Sequence, residues 1–312
     1  MHLKPSENTC LYGMGIFFNE IINLYNTKRM PTKILLSGKR GLGKSTLAYH
    51  VINYILSEKE EFKYNIIKYN INKKNKSFKL LQNNSHPNFH LIDLFDDKKN
   101  IDVAQIRKMI TYTNKSSFNN MSKFILIDNI ENLNKNSVNA LLKIIEEPNE
   151  GVFFILVSNN EKNILPTLKS RCLTFKINLT FNETINISNQ ALNTNIFDLI
   201  NYDLINFYNT PGEIINLINF ADDKKIDLKN VSLTNFLNLL IDNGYYKKNK
   251  FVKKMLINFI ELFFLKEYTL STTKNSLLNF YHNFINKIHN AEKFNLDEES
   301  LFLEFKSKLL NG

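Results

Sequence analysis

The chain has 312 residues, 43% of them hydrophobic, with 25 Phe and 13 Tyr, enough apolar material for two or three packed units and too much for a disordered or fibrous chain. Its two cysteines, Cys10 and Cys172, are too few for a structural zinc module or a secreted disulfide framework, so a reducing cytoplasm is the expected setting. The formal charge of +10 suits a polyanionic partner such as nucleic acid, although Lys, Asn and Ile are used heavily throughout and the same excess fits a solvated lysine-rich surface.

In chain order, the polar start MHLKPSENT predicts no signal peptide, and no clean apolar run exceeds Val152 to Val157, so no transmembrane helix is expected. Thr32 to Ser37 is short and apolar, as a buried parallel strand should be. After it, Leu47, Ala48, Val51, Ile52 and Ile55 recur at helical spacing, which starts a helix at about Lys44. Between them Gly38 to Ser45 reads G-x-x-x-x-G-K-[ST]. Strand, glycine loop and helix in that order form a phosphate-binding loop: Gly38, Gly41 and Gly43 let backbone N–H groups curl around phosphate oxygens. Lys44 reaches the terminal phosphates, Ser45 can ligate Mg²⁺, and Thr46 completes the expected nucleotide contacts.

Ser57 to Asn84 is polar and lysine-rich and is expected to be an exposed excursion with a short helix near its end. Phe89 to Asp93 predicts a second strand, and Val103, Ile106, Met109 and Ile110 a helix opened by Asp102 or a neighbour. Lys123 to Asp128 predicts a third strand that ends in an acid, the expected partner of the phosphate loop and of its Mg²⁺. An ATPase that activates its own water usually carries Glu next, but here the residue is Asn129, whose amide orients water without accepting its proton well. Glu131 is the candidate substitute.

Asn134 is the expected N-cap of a helix whose apolar stripe is Val138, Leu141, Leu142 and Ile145, stopped by Pro148. Val152 to Ser158 and Cys172 to Ile177 predict the fourth and fifth strands, with a short helical turn from Leu165 between them. Strands alternating with helices imply an α/β fold, a parallel sheet with helices on both faces. Beyond Asn178 helical periodicity takes over: Thr210-Pro211-Gly212 is expected to separate a helix ending near Tyr208 from one carrying Ile214, Ile215, Leu217 and Ile218. Further helices are expected at Leu233 to Ile241, Phe251 to Tyr268 and Ser276 to Ile288, with aromatics used as core.

The string Asn139-Ala-Leu-Leu-Lys-Ile-Ile-Glu-Glu-Pro148, followed by Phe154 to Ser158 and by Leu165-Pro-Thr-Leu-Lys-Ser-Arg-Cys172, resembles the AAA+ clamp-loader subunits. The resemblance is strongest to the delta-prime family of bacterial DNA polymerase III. Leu11-Tyr12-Gly13, Ser85-His86-Pro87 and Ile101 to Arg107 add to it. It is specific from residue 5 to residue 178 and thins afterwards to Asn209-Thr210-Pro211-Gly212.

This resemblance implies an AAA+ core over 1–179, a small helical lid over 180–222 and an all-helical collar over 223–312. It implies ATP or ADP with Mg²⁺ held by Gly38, Gly41, Gly43, Lys44, Ser45, Thr46, Asp128 and Ser158. Ser45 and Asp128 would serve the metal, Ser158 with Asn159 would stand at the γ-phosphate sensor, and no zinc site is expected. Arg171, in Ser170-Arg171-Cys172, matches an arginine finger that acts in trans on a neighbour's ATP. The implied partners are the motor and clamp-opening subunits of a hetero-oligomeric ring, the sliding clamp and primer-template DNA, the last reached directly or indirectly. The implied role is clamp loading in DNA replication. The arginine that motor subunits place in the lid is missing from Thr210-Pro211-Gly212-Glu213, which together with Asn129 predicts slow or absent turnover. Two other readings remain open: a self-sufficient motor of the gamma type using Asp128 and Glu131, and a small-molecule P-loop kinase, which gives no reason for Ser170-Arg171-Cys172.

Overall fold

The computed structural model describes residues 4–95, 98, 100–159, 164–247, 249–270, 274–294 and 297–310. Five strands, β1 (Lys33–Ser37), β2 (Phe89–Ile92), β3 (Lys123–Ile127), β4 (Val152–Ser158) and β5 (Leu173–Lys176), pair in parallel in the order β2-β3-β4-β1-β5. A parallel neighbour requires a crossover, and helices supply it. The helices of this region are α1 (Gly15–Asn26), α2 (Lys44–Leu56), α3 (Lys76–Gln82), α4 (Val103–Thr113), α5 (Lys135–Glu146), α6 (Pro166–Lys169) and α7 (Phe181–Leu192).

Side chains alternate across each strand, and both faces are apolar because both are covered. Ile34 and Leu36 of β1, Phe124 and Leu126 of β3, and Ile155 and Val157 of β4 pack into one cluster with Phe18 and Ile22 of α1 and Leu47, Val51 and Ile55 of α2. Leu35, Ile125, Ile127, Phe154 and Leu156 pack on the other face with Ile106 and Met109 of α4 and Leu141 and Ile145 of α5. The helix starts follow their sequence signals. Asn134 Oδ1 accepts the Ser137 N–H at 2.8 Å, and the Asp102 N–H donates to Gln105 Oε1 at 3.0 Å.

The excursion between α2 and β2 departs from its expected exposure. Tyr64, Ile71, Phe78 and Leu81 are buried in the cluster that holds α1 and α2, while the intervening lysines stay outside. Its anchor is Asn75, fully buried: Oδ1 accepts from the Phe78 N–H at 2.6 Å and from Asn53 Nδ2 at 3.0 Å, and Nδ2 donates to the Phe62 carbonyl at 2.8 Å. Glu60 receives the N–H groups of Lys76 and Ser77 at 2.8 and 2.9 Å, which satisfies the N-terminus of α3.

The chain divides into two compact units, Met1–Thr194 with Tyr208–Asn219, and Asn195–Phe207 with Phe220–Gly312. The second contains α8 (Ile196–Leu199), the end of α9 (Pro211–Lys224), α10 (Leu233–Asp242), α11 (Lys250–Leu270), α12 (Lys274–Phe294) and α13 (Glu299–Phe305). Its core is aromatic: the Phe264 ring lies 5.2 Å from Tyr281 and 5.7 Å from Phe305, and Phe236 lies 5.1 Å from Phe259. The helix expected to end near Tyr208 is instead a 3-10 turn at Tyr202–Leu204 followed by non-helical residues. Thr210-Pro211-Gly212 opens α9 rather than parting two helices, because Pro211 is pre-set for the first helical turn. Among the described residues no helix is long and apolar enough to cross a membrane.

Asn75→Ala removes a helix cap and leaves the Phe62 carbonyl without its donor, so it should lower the unfolding free energy by about 2 kcal/mol in urea melts, with the loss confined to the sheet-containing unit.

Candidate nucleotide site

Strand register determines what meets at the carboxyl edge of the sheet. Ser37 pairs with Ser158, Leu156 with Ile127, and Ile127 with Ile92. The residues just past these pairs, Gly38, Asn159, Asp128 with Asn129, and Asp93, therefore share one edge, where open α/β sheets bind ligands.

The loop from Gly38 to Gly43 joins β1 to α2. Gly41 and Gly43 lie in the left-handed region at φ 85° and 89°, and a Cβ at Gly43 would meet nothing within 4 Å, so open space lies beside the N-terminus of α2. Lys44 is only 3% exposed and turns its ammonium onto the Lys39 carbonyl of its own loop. The Ser45 hydroxyl donates to Asp128 Oδ2, and Thr46 Oγ1 accepts from Asn8 Nδ2 at 3.4 Å. Ser158 is fully buried, and its carbonyl accepts the Gly38 N–H at 3.3 Å.

Burial, and secondarily the charge of Asp93, push the Asp128 carboxyl up to about 6, against the opposing pull of the Ser45 hydroxyl, the Asn129 N–H and Lys44. A buried carboxylate so incompletely compensated suits a cation, and a helix N-terminus beside an open glycine loop with a lysine suits phosphate. These residues fit a Mg²⁺-nucleotide. Lys44 and the N–H groups of the loop would hold phosphates, and Ser45 and Asp128 the metal.

A chain of side-chain bonds crosses the same edge. Asn129 Nδ2 donates to Asp93 Oδ1 at 2.7 Å, Asn159 Nδ2 donates to Asn129 Oδ1 at 2.7 Å, and the Asn159 N–H meets both Glu131 oxygens at 3.3 Å. Glu131, the candidate replacement base, is thus engaged with the end of β4. Asp93 was not singled out from sequence, although Phe89 to Asp93 and Phe124 to Asp128 end in the same Ile-Asp pair. Only the adjacency of β2 and β3 brings it to the site.

Residues 208–213 close on the loop from the far side. Thr210 Oγ1 donates to the Arg40 carbonyl, the Gly212 N–H to the Gly41 carbonyl, and Lys39 Nζ to the Tyr208 carbonyl, each at 2.9 Å. The approach is so close that a Cβ on Gly212 would fall 2.7 Å from Gly41 Cα.

Arg171 stands apart. Leu173 pairs with Ile34 and Lys176 with Ser37, so Arg171, two residues before Leu173, lies at the amino edge of the sheet, opposite the phosphate loop. It is exposed, with Nη2 2.7 Å from Glu146 Oε1 and Nη1 donating to the Thr167 carbonyl at 2.7 Å.

Residues 15–180 match the family described as DNA polymerase III, delta subunit. The chain is 30% identical over 185 residues to the DNA polymerase III subunit delta-prime of Buchnera aphidicola subsp. Schizaphis graminum, covering 58% of this chain and 54% of that protein. It is 30% identical over 139 residues to the delta-prime subunit of Pseudomonas aeruginosa, covering 45% and 40%. To the gamma subunit of the same Buchnera it is 31% identical over 183 residues, covering 58% and 48%. The chain spans about half the length of the curated relatives it matches.

Gly212→Ala should unseat the loop at a cost of about 1–3 kcal/mol, the range for overpacking, and speed proteolysis within 38–43. A carboxyl raised in the fold from 3.8 to about 6 stabilises the fold most below 3.8 and loses that contribution as pH rises through 6. Asp128→Asn should therefore raise the nucleotide-free stability at neutral pH by up to about 3 kcal/mol, flatten its pH dependence between about pH 4 and 7, and abolish Mg²⁺-dependent thermal stabilisation by nucleotide.

Proposed function

Because this chain belongs to the DNA polymerase III delta subunit family, we propose that it serves as a delta-prime-like subunit of a clamp loader, binding ATP or ADP with Mg²⁺ at its own site and assisting hydrolysis at a neighbour's. Supporting this reading is the separation of its two parts: a phosphate loop at the carboxyl edge of the sheet, and an exposed arginine at the amino edge, beyond reach of that loop.

At its own site Lys44, Ser45 and Asp128 carry binding. The Mg²⁺ supplies charge neutralisation across the phosphates. Asn129 orients water but is a poor proton acceptor, and Glu131 is held by Asn159, so hydrolysis here is slow. A guanidinium presents a planar fork of donors to phosphate oxygens, which suits Arg171 to stabilise charge developing on ATP held by the adjacent subunit. The assembly is a hetero-oligomeric ring of motor and clamp-opening subunits, with residues 223–312 as collar and 180–222 as lid on the 1–179 core, acting on the sliding clamp at primer-template DNA in the cytoplasm.

A self-sufficient gamma-type motor is the second reading, favoured by the similar identity to a gamma subunit. Asn129 and Thr210-Pro211-Gly212-Glu213, which offers backbone rather than an arginine to the loop, speak against it.

Co-purification from native cells should bring the motor and clamp-opening subunits with this chain. In the reconstituted loader, Arg171→Ala should lower clamp-stimulated ATPase at the served site by on the order of 10³-fold with the ring intact; unchanged turnover would remove the finger role. Lys44→Ala should cost little loading activity, and ATP hydrolysis by the isolated chain at motor-like rates, lost in Lys44→Ala, would favour the gamma-type reading.

A further inference from the structure

Two isoleucines stand in solvent at the tip of the excursion between α2 and β2: Ile67 is 86% exposed and Ile66 42%. Isoleucine is ordinarily buried, and here the backbone holds it out. The Asn65 N–H donates to the Asn70 carbonyl at 2.9 Å and the Asn70 N–H to the Asn65 carbonyl at 3.1 Å, while Asn65 Oδ1 accepts the N–H groups of Ile67 and Lys68 at 3.1 and 3.0 Å. These bonds close residues 65–70 into a tight turn. Tyr69 lies in it at φ 48°, a left-handed conformation that is costly for a bulky side chain. It is pinned there: Asn19 Nδ2 donates to its hydroxyl at 2.7 Å, its ring stands edge-on to Phe18 at 5.7 Å, and its carbonyl accepts the Leu11 N–H at 2.9 Å. A Cβ on Gly15 would fall 2.9 Å from the ring, so the turn is seated on the start of α1. Ile16, 80% exposed, lies on the same face of α1 as Asn19, one turn away.

We propose that this tip, Ile66 and Ile67 with Ile16 beside it, is a docking surface for a partner protein that offers an apolar socket rimmed by carboxylates. None of these residues belongs to the nucleotide site, so the surface is independent of what that site binds.

Charge selects an acidic partner. The exposed charged residues from 59 to 79 are seven lysines and Glu61, a field that steers acidic surfaces in and turns basic ones away. An acidic protein, a nucleic acid and an anionic membrane would all answer that field, and the apolar tip separates them. Nucleic acid would take the lysines but has little use for aliphatic side chains, and the aromatic rings on which bases stack are engaged elsewhere. Tyr64 lies 5.0 Å from Phe18, Tyr69 is seated on α1, and the Lys74 ammonium stands 5.5 Å over Phe62. A lipid surface would accept isoleucines in any orientation. The turn instead holds them in one orientation at the cost of a strained Tyr69, and such preorganisation favours a partner of complementary shape.

The test selects a random-peptide phage library on the immobilised full-length chain, with counter-selection on Ile66→Ser/Ile67→Ser. Surviving peptides should combine large apolar residues with Asp or Glu. The tightest, synthesised with a fluorophore, should bind wild type at least about tenfold better than either Ile66→Ser/Ile67→Ser or Lys63→Glu/Lys68→Glu, and should weaken as salt rises. Both variants alter exposed side chains and should keep the wild-type melting midpoint; if the isoleucine variant does not, the lysine variant alone decides. No survivors, survivors without acidic residues, or binding indifferent to Lys63→Glu/Lys68→Glu overturns the docking surface. Phosphatidylglycerol vesicles and a single-stranded oligonucleotide are the comparison probes, and wild type should bind each no better than the isoleucine variant does. Vesicle binding lost in that variant assigns the tip to lipid, and oligonucleotide binding lost in it assigns the tip to nucleic acid; either result overturns the protein partner.

Discussion

A carboxylate buried at the end of β3 is the constraint around which the sheet-containing unit arranges its carboxyl edge. Asp128 cannot be left alone in that environment, since desolvation alone drives its carboxyl upward. Ser45 answers it from α2, Lys44 by charge, and Asn129 by its own backbone N–H at 2.8 Å. Each answer fixes something else. Ser45 and Lys44 are the first turn of α2, so the glycine loop before them is pinned to β3 as well as to β1. The same end of β3 leaves Asn129 in the left-handed region, its amide turned into the network that runs from Asp93 to Asn159.

The outer side of the loop obeys a steric rule rather than an electrostatic one. Its carbonyls at Arg40 and Gly41 are bonded to Thr210 and Gly212, and the contact exists because neither Gly41 nor Gly212 carries a side chain. At φ 85° Gly41 is doubly constrained, by conformation and by the Thr210 hydroxyl, which an added Cβ would approach to 2.3 Å. A cationic side chain reading nucleotide from the first turn of α9 would need room where two backbones touch. The seat of α9 on the loop and the lack of room for such a side chain there are consequences of one close approach.

Much of this was legible from residues in order. The strands were readable because both faces are buried and the apolar runs are continuous, the phosphate loop because its glycines, lysine and serine lie within nine residues, and the start of α5 because Asn134 caps locally. What stayed hidden is non-local. The bond from Asp93 to Asn129 spans 36 positions and depends on strand order, and the Thr210 seat on Arg40 spans 170. The burial of Tyr64, Ile71 and Phe78 was masked by the lysines between them, since alternation in an irregular segment has no fixed period to read. The stretch ending near Tyr208 has no local signal that separates a 3-10 turn from a helix, whereas Pro211 marks the start of α9.

The function proposed for this chain would divide its chemistry between the two edges of the sheet, and the strength of the bonds at each edge suits that division. Asp128 is held in burial, where changing a partner is costly. Arg171 and Glu146 form an exposed pair, with side chains 37% and 51% accessible, of the kind worth about 0–1 kcal/mol. A guanidinium held that lightly can leave Glu146 for a stronger bidentate phosphate contact without disturbing the fold, while its bond to the Thr167 carbonyl keeps it at the surface. Permanence at the carboxyl edge and exchangeability at the amino edge are what a subunit needs if it is to hold one nucleotide and work on another.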